Sequence, residues 1–173
     1  LFMGIALMRT WAHLPTYFTE MNYYLSNLWN FPKSEVAIGN LGVVYINQGM
    51  IGSAIEAWVS GIRMNPHYDV NYYNLANMFR SRGFPNPYYF PLLLGTPESV
   101  IPVDVVQKAM KSPQTAHLQC ARYLLDKALN TVTCHFPENW KKELAELDRQ
   151  LLTIVGNLVM PRYQAPLSPV PVT

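Results

Sequence analysis

Between residues 17 and 83 the apolar positions recur at helical spacing, and the same set recurs 34 positions later. In residues 17–31, Met21, Tyr24, Leu25 and Leu28 mark one face of a helix. Leu41 and Tyr45 stand four apart on a second helix, with Gly42 small enough to let a neighbouring helix approach closely. Ala54, Trp58 and Ile62 then form a small-large-large stripe on a third. Shifted by 34, Asn40-Leu41 becomes Asn74-Leu75, Gly42 becomes Ala76, Tyr45 becomes Phe79 and Gly49 becomes Gly83. Upstream, Met21 becomes Ile55, Tyr24 becomes Trp58, Leu25 becomes Val59, Leu28 becomes Ile62 and Pro32 becomes Pro66. The matches alternate between two segments, as two helices per unit require. Gly49 closes a helix, because a left-handed residue costs glycine little, and Pro66 cannot continue one. The pattern predicts one full unit over residues 35–68, a second-helix half before it at 17–31 and a first-helix half after it at 69–82.

The period stops at Phe84. Three prolines in the eight residues 84–91 oppose the second helix that the unit beginning at residue 69 requires, so residues 84–102 read as a Pro-rich aromatic connector. It either lies across an apolar groove or caps the end of the array. Two or three further helices are predicted in residues 103–159. Val103 to Lys111 is short, with Asp104 in its first turn. Ser112 as N-cap and Pro113 at the first helical position open a helix to about Thr133. Pro137 and Glu138 open the last helix, which ends near Val159. There Trp140, Leu144, Leu147, Leu151, Ile154 and Leu158 step by fours and threes, either a short coiled-coil seam or a face packed on a neighbouring helix. Residues 160–173 carry four prolines and one charge, and should be extended. The expected fold class is all-α: a short helical-hairpin solenoid, then two or three more helices and an extended Pro-rich tail.

Leu41-Gly42-Val43-Val44-Tyr45, then Ala54-Ile55-Glu56-Ala57-Trp58, then Pro66 resembles the tetratricopeptide-repeat family, whose pattern runs Leu-Gly-x-x-Tyr, Ala-x-x-x-Phe, Pro. Two positions depart from it: Ile38 replaces the usual Trp, and Gly61 stands where alanine is common. The resemblance covers about half the chain and implies a fold more than a partner, since the family binds many unrelated proteins. A narrower resemblance lies in the order of pieces. An apolar helix end, Arg9 and Trp11, an aromatic helix and then residues 30–42 are similar to the junction in transmembrane-and-tetratricopeptide-repeat proteins where the last membrane helix meets the first repeat. That resemblance implies repeats on the extracytoplasmic side. It also implies an alternative reading, the C-terminal repeat region of a membrane-embedded polyprenyl-sugar-dependent glycosyltransferase whose catalytic acids lie elsewhere.

Composition changes this picture at the surface. Half the residues are apolar and 14% are charged, against a usual figure of about 25% charged. Eleven Tyr, seven Phe, four Trp and eight Met leave too few polar groups to cover a small protein, so contact with a partner or a membrane is expected. A net charge of +2 without clustered Lys and Arg excludes a nucleic-acid role. The chain opens on Leu1, which suggests a processed chain or a piece of a longer one. Residues 1–8 are wholly apolar and rise about 12 Å as a helix, short of the roughly 30 Å hydrocarbon core. With Arg9 and Trp11 as interfacial anchors, residues 1–16 read as the end of a membrane or membrane-proximal helix, or as a buried N-terminal helix.

Candidate chemistry is sparse. No phosphate-cradling glycine loop, Gly-x-Ser-x-Gly elbow or His-Glu-x-x-His motif occurs, so no enzyme, metal or cofactor is expected. His117, Cys120, Cys134 and His135 offer zinc-ligand types, but 17 positions of continuous helix separate the outer pairs by about 25 Å. Cys120 and Cys134 read as thiols rather than a bridge. Glu35, Glu56 and Asp69 read as solvated face residues. The expected function is therefore a scaffold module in a membrane-associated complex, with protein partners in a groove lined by Asn40, Val44, Asn47, Tyr73, Asn74 and Asn77. Asparagine suits such a groove because its amide both donates and accepts.

Overall fold

The computed structural model describes residues 19–83, 100–112, 114–132 and 134–159. Among them the chain is all-helical, with seven helices and no strand. The expectations for the membrane-proximal segment, Arg9 and Trp11, for most of the connector and for the tail fall on residues 1–18, 84–99 and 160–173, outside the described residues.

Helix α1 spans Glu20–Asn30, opened by Thr19, whose hydroxyl accepts from the Asn22 N–H at 3.2 Å. Helix α2 spans Glu35–Asn47, opened by Ser34 accepting from the Ala37 N–H at 3.3 Å. It stops at Gly49, whose φ of +76° favours a residue without a Cβ. Helix α3 spans Ile51–Met64 and stops before Pro66. Helix α4 spans Asp69–Arg82 and stops at Gly83, φ +77°. Thus α2 and α4 begin 34 residues apart, and α1 and α3 end 34 residues apart. The turns between them also repeat: the Ser34 N–H donates to the Phe31 carbonyl at 3.0 Å, and the Tyr68 N–H to the Asn65 carbonyl at 3.1 Å.

Helix α5 spans Val103–Met110, α6 spans Ala116–Leu129 and α7 spans Pro137–Val159. Helix α6 begins later than the Ser112-Pro113 reading predicts. Residues 112–115 instead close a turn in which the Thr115 N–H and hydroxyl both donate to the Ser112 carbonyl, at 2.9 and 3.2 Å. Its end also comes earlier than Thr133. The Asn130 side chain donates back to the Asp126 carbonyl and Thr131 to that of Ala128, satisfying acceptors that a further turn would have used.

Each helix packs on the next, α1 on α2, α2 on α3 and α3 on α4, and then α4 lies along α6. Helix α6 therefore supplies α4 with a packing partner later in the chain. The core runs through this pairing, with Ile55, Val59, Leu75, Phe79, Cys120 and Leu124 fully buried. Trp140 and Leu147 are buried, and Leu144, Leu151 and Ile154 pack against the same core. From Trp140 to Ile154 the heptad-spaced seam of α7 thus packs on a neighbouring part of the molecule, while the Leu158 side chain lies outside the described residues.

Cys120 and Cys134 are free thiols. Burial pushes the Cys120 thiol up to about 11, and Cys134 is only partly covered. Iodoacetamide should therefore modify Cys134 in the folded protein well before Cys120, with both labelling together once the chain is denatured. Mass spectrometry of a labelling time course reads the order directly, and simultaneous labelling in the native state contradicts it.

Candidate interaction face

The close approach of α2 and α3 sets the geometry of the face. Gly42 has no Cβ, and one built there would stand 2.2–2.7 Å from three indole atoms of Trp58. The bare backbone lets Trp58 enter the helix pair, where its Nε1–H donates to the Gly39 carbonyl at 3.0 Å. On α4, Asn71 is fully buried and wedged between Gly39 of α2 and Gly61 of α3; a Cβ on Gly61 would meet its Nδ2 at 2.4 Å. Neither end of the Asn71 amide has a hydrogen-bond partner. Its position 34 residues earlier is Ala37, so this unit carries an amide where the other carries a methyl.

Helix α2 also contacts α4, and α7 is joined to α4 through side chains. Tyr73 stacks on Trp140 with ring centroids 4.5 Å apart and planes 16° from parallel. Its hydroxyl donates to Glu143 Oε1 at 2.9 Å, and Arg80 pairs with the other oxygen of the same carboxylate at 3.0 Å. Burial raises the Tyr73 phenol above its ordinary pKa, against a lowering hydrogen bond from Asn77. Arg80, although exposed, therefore also ties α7 to α4.

Between α2 and α4 opens a cleft of about 160 Å³, lined by Val43, Ile46, Trp58, Asn74, Asn77, Met78, Ser81 and Arg82. The open stripe on α2 is Val36, Asn40, Val43 and Asn47. The residues 34 further on, Val70, Asn74, Asn77 and Ser81, form the matching stripe on α4. The face is apolar at intervals, carries carboxamides between, and is too small a hollow for a cofactor.

The groove expectation divides accordingly. Asn40, Asn47, Asn74 and Asn77 reach this surface, and Asn74 and Asn77 line the cleft itself. Two residues are corrected. Val44 is 5% exposed and belongs to the core, because the open side of α2 passes through Val43. Tyr73 is covered by Trp140 and Glu143, so α7 already occupies its surface. Val36, Val43 and Ser81 were missed; stepping 3 and 4 residues from Asn40 and applying the 34-residue shift would have found them. The positions read as structural lie in the helix pairs. Leu41, Ala54, Trp58, Leu75, Ala76 and Phe79 are buried, Tyr45 is half-buried against the core, and Gly49, Pro66 and Gly83 stand in turns.

The acids need a larger correction. Asp69 is fully buried, accepting from the His135 N–H at 2.6 Å and facing its Nδ1 at 2.7 Å. Glu35 is half-buried and accepts from Asn65 Nδ2 at 3.1 Å. Both sit in the first turn of a helix, where an anion is favoured, and both tie that turn to a loop from another helix. Only Glu56 is exposed as expected. Among the described residues no three His, Cys, Asp or Glu side chains come together to hold a metal ion, and no helix is long and apolar enough to cross a membrane. The chain matches no protein-family model, no curated protein and no solved structure.

Proposed function

We propose that the chain is a non-enzymatic protein-interaction module of the tetratricopeptide-repeat type, serving as a scaffold in a membrane-associated assembly. The repeat reading is supported by the shared register of helix ends, turn bonds and left-handed glycines at a spacing of 34. It gains support from α6. Ala121, Leu125 and Ala128 are buried and keep the spacing of Ala54, Trp58 and Gly61, but 67 rather than 34 positions downstream. Helix α6 is then the second helix of the unit begun by α4, delayed by an insertion. The equivalent ties from Glu35 to Asn65 and from Asp69 to His135 close the two units in the same way.

The observation that carries the function is the open α2–α4 face. It repeats valine and carboxamide positions in register, leaves Val36 and Val43 exposed, and holds a hollow sized for one side chain of a partner. Apolar spots fix where such a partner's side chains go, and the amides of Asn40 and Asn74 pair with its backbone. Nothing on this face combines a nucleophile with a base.

The test places a photo-crosslinking residue at Val43, at Asn77 and, as a control on the outer side of α3, at Ser60. Adducts from Val43 and Asn77 should contain the same protein, be recovered with membranes, and vanish when Asn74→Arg fills the cleft. Equal adducts from Ser60, or adducts indifferent to Asn74→Arg, would refute the assignment of this face.

A further inference from the structure

The α2–α4 face and the residues that follow α7 are complementary in character. Apart from Arg82 at the rim of its cleft, the face is uncharged, with exposed Val36 and Val43 set among the amides of Asn40, Asn47 and Asn74. Residues 160–173 carry four prolines, the apolar side chains of Leu167, Val170 and Val172, and one charge, Arg162. A Pro-rich stretch has a carbonyl at every residue, lacks an N–H at each proline, and pairs none of these carbonyls internally when extended. It therefore needs donors from outside, and asparagine amides supply them. Distance allows the two to meet. Helix α7 runs the same way as α4, since His135 meets Asp69, Trp140 meets Tyr73 and Glu143 meets Arg80 in that order. From Trp140 it continues to Val159, whereas α4 goes from Tyr73 only to Arg82, so α7 extends about 15 Å further. With helix axes about 8–10 Å apart, the way back from Val159 to Ser81 in the cleft is roughly 20 Å. Six or seven extended residues cover that at about 3.1 Å each, which leaves Pro166 to Pro171 to follow the face. The segment between α4 and α5 fits the face less well, because the described chain resumes at Val100, buried beside Ile62 and Tyr123 on the α3–α6 side.

We propose that the Pro-rich residues after α7 fold back in the same chain onto the α2–α4 face, with Leu167 and Val170 on its apolar spots. There they act as a tethered competitor that a partner must displace. The amides of Asn40 and Asn74 pair with the carbonyls of the returning segment, and the cleft beside Trp58 takes one of its apolar side chains. A short tether holds such a competitor at an effective concentration near millimolar, so weak contacts suffice to keep the face occupied. The inference rests on the reading of this face as the interaction surface and adds its regulation.

The purified full chain, with a photo-crosslinking residue at Val43 and no other protein present, tests it. Trypsin cuts after Arg162, so mass spectrometry should find residues 163–173 joined to the α2 peptide. The yield should not change with protein concentration, and a crosslinker at Ser60 should give no such adduct. Leu167→Ser with Val170→Ser should lower the adduct by about fivefold and raise capture of a membrane-derived partner at Val43 by about threefold or more. Helical circular dichroism establishes that this variant remains folded. Three results would overturn the inference: no adduct to residues 163–173, adducts formed between isotopically distinct copies of the chain, or a variant whose adduct is undiminished. The adduct is read without any partner. Absence of a captured partner in both chains therefore counts against the interaction module alone, and capture without the adduct counts against the tethered competitor alone.

Discussion

Gly42→Ala should destabilise the fold by about 3 kcal/mol, although alanine is the better helix former. Helix propensity alone favours the substitution by about 1 kcal/mol. Against that gain, the new methyl would overlap three atoms of the Trp58 five-membered ring. Trp58 is 3% exposed, and the one opening beside it is the small cleft between α2 and α4 that it lines. Moving it also stretches the bond from its Nε1–H to the Gly39 carbonyl, and an unmet buried pair costs about 1–3 kcal/mol. Overpacking adds about 1–3 kcal/mol, so the loss exceeds the gain. Denaturant midpoints measure the difference. The clearer measurement is a double-mutant cycle with Trp58→Leu, which sets alanine opposite leucine, the residue types at Ala76 and Leu125 in the next unit. The two substitutions together should cost about 2 kcal/mol less than the sum of their separate effects. Additive effects would mean that Gly42 and Trp58 do not constrain one another.

That pair also shows what sequence pattern can and cannot reach. Gly42 and Trp58 lie within one uninterrupted unit, so a period of 34 and a small-large match make their contact readable without coordinates. The same holds for the limits of α2 and α4, where Ser34, Gly49 and Gly83 act on their immediate neighbours. Helix α6 was legible as a helix, but its proposed kinship with α3 was not, because its Ala-Leu-Ala spacing lies 67 positions downstream and a search at a single shift of 34 finds nothing. Its three aligned positions are also a weaker signal than a tryptophan would have been. On the interaction face the asparagines were legible from their recurrence at Asn40 and Asn74. Valines on the same stripe were not, since hydrophobicity alone does not tell an open position from a buried one. Val44 and Val43 are adjacent and chemically identical, and only the direction in which α3 and α4 pack separates them. Tyr73 was misplaced because its cover, Trp140, arrives from 67 residues away.

Asp69→Ala should be as damaging as the change at Gly42, about 3 kcal/mol, and the reason lies in the loop before α7. A buried carboxylate is tolerated only where donors replace the water it has lost. Here two come from one residue, the His135 N–H and, in the tautomer or charge state that carries a proton on it, Nδ1. Charge-assisted bonds of this kind contribute about 1.5–3 kcal/mol each, and the first-turn position of Asp69 on α4 adds a smaller favourable interaction with the helix dipole. The His135 side chain is about half exposed, so its own bond lies at the lower end of that range. Removing the carboxylate leaves the His135 N–H without its acceptor and frees the loop that delivers Trp140 to the core side of α7. Asp69→Asn keeps an acceptor oxygen in place and should recover roughly half the loss. Glu35→Ala breaks the matching tie in the preceding unit, but its carboxylate is only half-buried and its single partner is a neutral amide, so it should cost about 1 kcal/mol. Hydrogen exchange separates a local from a global effect. In Asp69→Ala, amides of α7 should lose protection before those of α3, because the severed tie holds α7 and not the α2–α3 pair. Equal stability losses at Glu35 and Asp69, or uniform loss of protection across both units, would show that the burial of Asp69 does not set the strength of this closure.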